Sequence, residues 1–227
     1  MTISSQSKFK TVIRTLSLLA TVTGANADLV LIDFSSATPE PGVADSNGNR
    51  WTTIAEAGTV SDLIDATGSP TAIDITVNFS RYSAGLGGNA IDGPTGPAPF
   101  NQTFAVTDGI FSSRPIGIAT ISFSDLAPET SYDLAMIGGR ASSGSDAPIE
   151  VITGTGSGGT VANDGTILNL TVNSNSSGVI AFTFIQQTES QSEVGSLNAM
   201  SITQVPEPGM SVLLSLSGLL LVVRRRS

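Results

Sequence analysis

The chain has 227 residues, ten basic and nineteen acidic, for a formal charge of −9, and contains neither histidine nor cysteine. Without cysteine there are no disulfides or thiolate metal sites. Without histidine there are no Ser-His-Asp or Cys-His arrangements, no His-based zinc site and no imidazole acid–base chemistry, so stability has to come from a packed core.

At the amino end Lys8, Lys10 and Arg14 precede an apolar run over 16–22, and Ala25-Asn26-Ala27 follows with small residues at alternate positions. This pattern predicts a secretory signal peptide over 1–27 and a mature protein that starts at Asp28, because the apolar run is too short to span a membrane. From Asp28 to Val205 there are then eighteen Asp and Glu against Arg50, Arg81, Arg114 and Arg140, a net charge of −14 with no lysine. An acidic surface of this kind disfavours nucleic acid and anionic lipid, both of which require clustered cations.

Short apolar segments separated by Gly, Asn, Ser, Asp and Pro recur about every ten residues through the body, which predicts one all-β domain over 28–204, a sandwich or a barrel. Strands are expected over 29–34, 73–79, 116–123, 132–137, 149–153, 167–172, 179–185 and 197–202. Ile73, Ile75, Val77 and Phe79 alternate with polar residues, as a strand with one buried face should. The Gly- and Pro-rich stretch 85–99 reads as a long loop. Gly154-Thr155-Gly156-Ser157-Gly158-Gly159 resembles a phosphate loop only superficially, since no Lys follows and no helix starts there, and a hairpin or flexible connection is expected.

Two kinds of candidate site can be named. Asp45-Ser46-Asn47-Gly48-Asn49 places oxygen side chains at alternate positions, with Glu56 twelfth from Asp45, so Asp45, Asn47, Asn49 and Glu56 are candidate calcium ligands. The sixth position, where the calcium loop requires Gly, is Arg50, and the competing reading is an Asx-rich turn. For a glycan, aromatic faces stack on pyranose rings while Asp, Asn or Arg direct hydrogen bonds. Candidate platforms are Trp51, Tyr82, Phe100, Phe104 and Phe111, with Tyr82 beside Arg81 the favoured exposed one and Arg140 a candidate polar contact. Trp51 beside Ile54 equally suits a strand packed inward. Phe34, Phe79, Phe123, Phe182 and Phe184 are expected in the core. With most hydrolase mechanisms removed, a pair of carboxylates of the glycosidase type remains, and nothing selects a pair among eighteen acids, so a non-enzymatic domain is expected.

Taken in order, Val30-Leu31-Ile32-Asp33-Phe34, Trp51 and the run 61–68, then Asp108-Gly109-Ile110-Phe111, the turn 121–128 leading into Tyr132-Asp133-Leu134, and the closing run 197–202 resemble galactose-binding-like jelly-roll domains of secreted bacterial proteins. The resemblance implies a jelly-roll-like antiparallel β-sandwich, of a kind that often binds carbohydrate alone or attached to polysaccharide-acting enzymes. Fold does not settle function.

The chain closes on Pro206-Glu207-Pro208, an apolar run over 209–223, and Arg224, Arg225 and Arg226. The prolines end any preceding strand. As a helix the fifteen apolar residues reach about 22 Å at ~1.5 Å per residue, short of a hydrocarbon core of ~30 Å, and the arginines would hold the far end in the cytoplasm. These three elements in this order resemble the PEP-CTERM sorting signal of Gram-negative bacteria, and 205–227 is read as that signal. The resemblance implies an exosortase, a transpeptidase-like membrane enzyme, as the partner that cleaves near the motif. It also implies transient residence in the inner membrane and delivery to the cell surface or the exopolysaccharide matrix.

Overall fold

Alternation of apolar and polar residues is realised as thirteen strands and no helix among the described residues of a computed structural model, which are 28–34, 44–79, 97–102, 109–112, 119–139, 148–154, 156–162, 164–186 and 195–206. These fall within one compact unit, Ala27–Glu207. The predicted signal peptide, Tyr82, Arg140, Glu207, Pro208, the apolar run 209–223 and Arg224, Arg225 and Arg226 lie outside the described residues.

The strands are β1 (Leu29–Phe34), β2 (Thr52–Ile54), β3 (Gly58–Val60), β4 (Asp74–Phe79), β5 (Ile110–Ser112), β6 (Ala119–Ser124), β7 (Ser131–Gly139), β8 (Ile149–Thr153), β9 (Gly156–Val161), β10 (Asp164–Asn173), β11 (Ile180–Gln186), β12 (Gly195–Leu197) and β13 (Ala199–Gln204). One sheet has five strands in the order β10-β7-β13-β1-β2, the other six in the order β3-β4-β6-β11-β8-β9, and β12 and β5 form a small ribbon. After β6 the chain crosses to the five-stranded sheet for β7, back for the hairpin β8–β9, over again for β10 and back for β11, giving a two-layer, jelly-roll-like sandwich. Pairing is antiparallel throughout except between β1 and β2, which run parallel.

The main core lies between the sheets. Val30, Ile32 and Phe34 of β1, Ile75 and Val77 of β4, Ile121 and Phe123 of β6, Leu134 and Met136 of β7 and Phe182 and Phe184 of β11 all meet there. Leu31, on the opposite face of β1, is buried as well. That is why β1 opens on four consecutive apolar residues, Leu29 to Ile32, as strands covered on both faces do.

Two local devices fix the layers. At the β6–β7 corner the Ala127 amide donates to the Oη of buried Tyr132 at 2.9 Å, a tyrosine returning to the backbone a few residues upstream. Buried Ser174, after β10, donates from Oγ to the Ala127 carbonyl at 2.6 Å and accepts from the Thr130 amide at 3.1 Å, tying that corner to the β10–β11 turn. Of the Gly-rich run 154–159, Gly154 lies in a turn after β8, and Gly156, Gly158 and Gly159 fall in β9. A Cβ on Gly159 would stand 2.8 Å from Leu168 Cδ1, and one on Gly158 3.2 Å from Leu170 Cδ1. The run is thus a smooth floor on which the inward leucines of β10 lie. The predicted closing strand 197–202 is divided at Asn198, whose amide donates to the Ile137 carbonyl and whose carbonyl accepts from the Phe34 amide, so that β12 turns away to pair with β5.

Candidate functional site: a groove on the outer face of the five-stranded sheet

The outer face of the five-stranded sheet follows directly from the strand register. Ile167, Ile137, Ala199 and Asp33 stand abreast in one row. Asn169, Ala135, Ser201 and Leu31 form the next, and Thr171, Asp133, Thr203 and Leu29 the third. Polarity and side-chain size grade across these rows. The first is covered, since Ile137 and Ala199 join Leu31, Trp51 and Phe100 in a second buried cluster. The central row has small residues at Ala135 and Ser201, and the third is mostly polar.

Two cavities open where the cover stops, one of about 530 Å³ and one of about 280 Å³. They share Ala135, Asn169 and Ser201, so they are two ends of one groove. Residues 97–100 wall the larger end beside 164–167, and Asp133, Thr171 and Thr203 line the smaller. From row one to row three along β10 the groove runs about 13 Å at ~3.3 Å per residue, enough for a short linear oligomer. Thr171 Oγ1 donates to Asp133 Oδ1 at 2.6 Å, fixing that carboxylate while leaving it exposed. Asp164 accepts from the Thr166 amide at 2.9 Å, and bonds from the Thr166 amide and hydroxyl hold its carboxyl below the ordinary 3.8.

The stretch that holds the candidate calcium ligands also holds the wall of this groove. Asp45 Oδ1 accepts from the amides of Asn47 at 2.7 Å and Asn49 at 2.9 Å, and Oδ2 accepts from Trp51 Nε1 at 2.8 Å. Gly48, at φ +84°, donates its amide to the Asp45 carbonyl at 3.0 Å and closes the turn. Asn47 Nδ2 then donates to Asn101 Oδ1 at 2.8 Å and Ser46 Oγ to Gln102 Oε1 at 2.9 Å, which latches the turn to the residues following Phe100. The N–H groups converging on Asp45 give the stretch 45–49 the hydrogen bonds of an Asx-rich turn. Glu56 is exposed between β2 and β3, and among the described residues no three Asp or Glu gather into a metal-binding group.

Trp51 is only 6 % exposed, packed edge-on against Phe100 at 6.1 Å between centroids and 70° between planes. Both aromatics are therefore core rather than sugar platforms, and their role at the groove is to support its wall. Phe34, Phe123, Phe182 and Phe184 are buried as expected. Sequence reasoning missed the groove itself. Its floor is made of small and neutral residues whose one local sign is outward placement on predicted strands.

No protein-family model matches the sequence, and no curated protein matches it. Among solved structures the fold is similar to the ANX2 ectodomain from Arabidopsis thaliana, with 12 % identity, a TM-score of 0.50, and coverage of 78 % of this chain and 50 % of that one. It is equally similar to the ANXUR1 extracellular domain from the same plant, at 12 % identity and TM-score 0.50, covering 78 % and 49 %. The chain thus spans about half the length of these ectodomains. A carbohydrate-binding module, CBM36 in complex with calcium and xylotriose, aligns over 56 % of this chain and 98 % of its own at 12 % identity, with a TM-score of 0.29 that carries no detailed correspondence. At these identities the likeness is one of fold, and it defines the body as a jelly-roll-like β-sandwich.

Proposed function

We propose that this is an exported protein of the cell surface or extracellular matrix, tethered briefly to the inner membrane and passed on by an exosortase-like enzyme that reads Pro206, Glu207 and Pro208. Its body is a non-enzymatic module that holds a glycan in the groove of the five-stranded sheet. The observation that carries the binding half is the groove: an open sheet face with a small-residue floor, flanked by fixed polar groups and a wall locked from behind. The two acids of the groove do not make a glycosidase pair. Asp164 stands opposite Gly139, whereas Asp133 lies six residues away along β7, about 20 Å at ~3.3 Å per residue, and a glycosidase pair works at ~5–9.5 Å. Asp164, held below its ordinary pKa by the Thr166 bonds, is also unsuited to remain protonated as a general acid.

The sorting half rests on the tail sequence and on Pro206 closing the body two residues after β13. Replacing Pro206, Glu207 and Pro208 with alanine in the producing cell should leave a full-length, membrane-bound precursor on immunoblot. Unchanged processing refutes recognition through the motif. For the body, the mature protein should be retained on exopolysaccharide extracted from its producer, and Ala135→Phe, which fills the groove, should abolish retention. Retention that survives the filling places binding elsewhere.

A further inference from the structure

Resting on the groove reading, we infer that the ligand is an uncharged, hydroxyl-rich glycan, and that the site excludes polyuronates and other anionic polysaccharides. Every ionisable group that the structure places at the groove is an acid. Asp133 stands on the floor of the smaller end and Asp164 at the rim of the larger, and between them the polar groups are neutral: Asn169, Thr171, Ser201 and Thr203. Among the described residues the sole cation is Arg50, which lines neither cavity and whose side chain lies against Gly68. Recognition of a carboxylate or sulfate draws on Arg or Lys, with Arg offering a bidentate fork. These acids and neutral oxygens instead suit ligand hydroxyls acting as donors.

Fixed orientation sharpens the preference. Thr171 Oγ1 spends its proton on Asp133 Oδ1, so the oxygen atoms of both residues face a ligand as acceptors. Ser201 is 7 % exposed at the centre of the floor, and a ligand seated above it is partly withdrawn from solvent. There, repulsion between Asp133 and a ligand carboxylate is screened less than it would be in open water. The body's net charge of −14 adds a repulsive field of the same sign.

The test uses the full chain in detergent and affinity electrophoresis through gels cast with an uncharged glycan (xylan, dextran, a β-glucan or a galactan) or with a polyuronate (alginate or polygalacturonate). At least one neutral glycan should retard the protein, with polyuronates about tenfold weaker or inert. Asn169→Ala, an exposed position that alters no packing, should weaken neutral binding about five- to tenfold, the effect of one lost hydrogen bond. Asp133→Asn, which keeps the acceptor for Thr171, should narrow the ratio between neutral and uronate binding, as should added salt. A merely structural role for Asp133 would leave that ratio unchanged. Polyuronate binding that Ala135→Phe removes overturns the ligand class and keeps the groove. Glycan binding insensitive to both Ala135→Phe and Asn169→Ala, or no binding to any of these glycans, overturns the groove reading itself.

Discussion

Asp45→Asn is the most incisive change available in this protein, because it alters one atom of a hub without altering its shape. The amide oxygen of Asn can continue to accept from the Asn47 and Asn49 backbone amides, 2.7 and 2.9 Å away. The new NH₂ then occupies the place of Oδ2, which accepts from Trp51 Nε1 at 2.8 Å. A charge-assisted bond becomes donor against donor, at a tryptophan only 6 % exposed. Bonds to charged groups contribute about 1.5–3 kcal/mol, and for a domain of this size ~1 kcal/mol moves Tm by ~2–4 °C, so a fall of roughly 3–12 °C is expected. Trp51 is the only tryptophan, so intrinsic fluorescence during urea or thermal unfolding reports on the affected ring itself. A midpoint within about 0.5 kcal/mol of the parent, the usual range for a surface substitution, would refute the argument that Asp45 secures this wall. Calcium provides a second arm of the same experiment. A calcium-dependent rise in the parent's midpoint that disappears in the variant would return the loop to the cation reading.

Tyr132→Phe removes the acceptor for the Ala127 amide and should cost about 1–2 kcal/mol by urea unfolding, with Ser174→Ala costing a similar amount at the same corner. Gly138→Ala places a Cβ 2.1 Å from the Ser196 carbonyl oxygen and 2.7 Å from Val161 Cγ1, and should cost about 3 kcal/mol or prevent folding, as judged by soluble yield and circular dichroism. Asp65 and Asp164 both titrate below the ordinary 3.8. At Asp65 burial pushes upward but is outweighed by bonds from the Thr67 hydroxyl and the amides of Ser69, Thr67 and Gly68, and at Asp164 the Thr166 amide leads. Since the folded values lie below the unfolded ones, their contribution is present above about pH 4 and is lost as pH falls through the folded values. Tm should therefore hold from neutrality to about pH 5 and decline below about pH 4, less steeply in the Asp65→Asn, Asp164→Asn double variant.

How much of this was legible in the sequence depends on how local each signal is. The strand at Ala119–Ser124 declares itself through strict alternation of buried and half-buried residues, and β1 through its apolar run. Three-residue strands such as β2, β3 and β5 are too short to show a period, and β9 is hidden by its glycines. The Asx reading of 45–49 and the inward reading of Trp51 were both available from residue type. What could not be read was their mutual bond, because it requires the turn to fold back upon itself. The groove was illegible for a different reason. Ala135, Asn169 and Ser201 carry no chemical signal singly, and they come abreast only when β7 pairs with β10 on one side and β13 on the other.

The pairing of β13 has a mechanical consequence. β13 supplies Ser201 and Thr203 to the groove, ends at Gln204, and is followed at once by Pro206, with the Val205 amide still donating to the Ser131 carbonyl at 2.9 Å. On the proposed reading, in which a ligand sits in the groove and the chain is held through its tail, the load enters the body directly at the strand that lines the groove. A pull applied through residue 206 runs along β13, which is flanked by β1 and β7, both antiparallel to it. Such a load must shear two ladders of hydrogen bonds together instead of opening them one at a time, so β13 is placed to resist traction applied at residue 206.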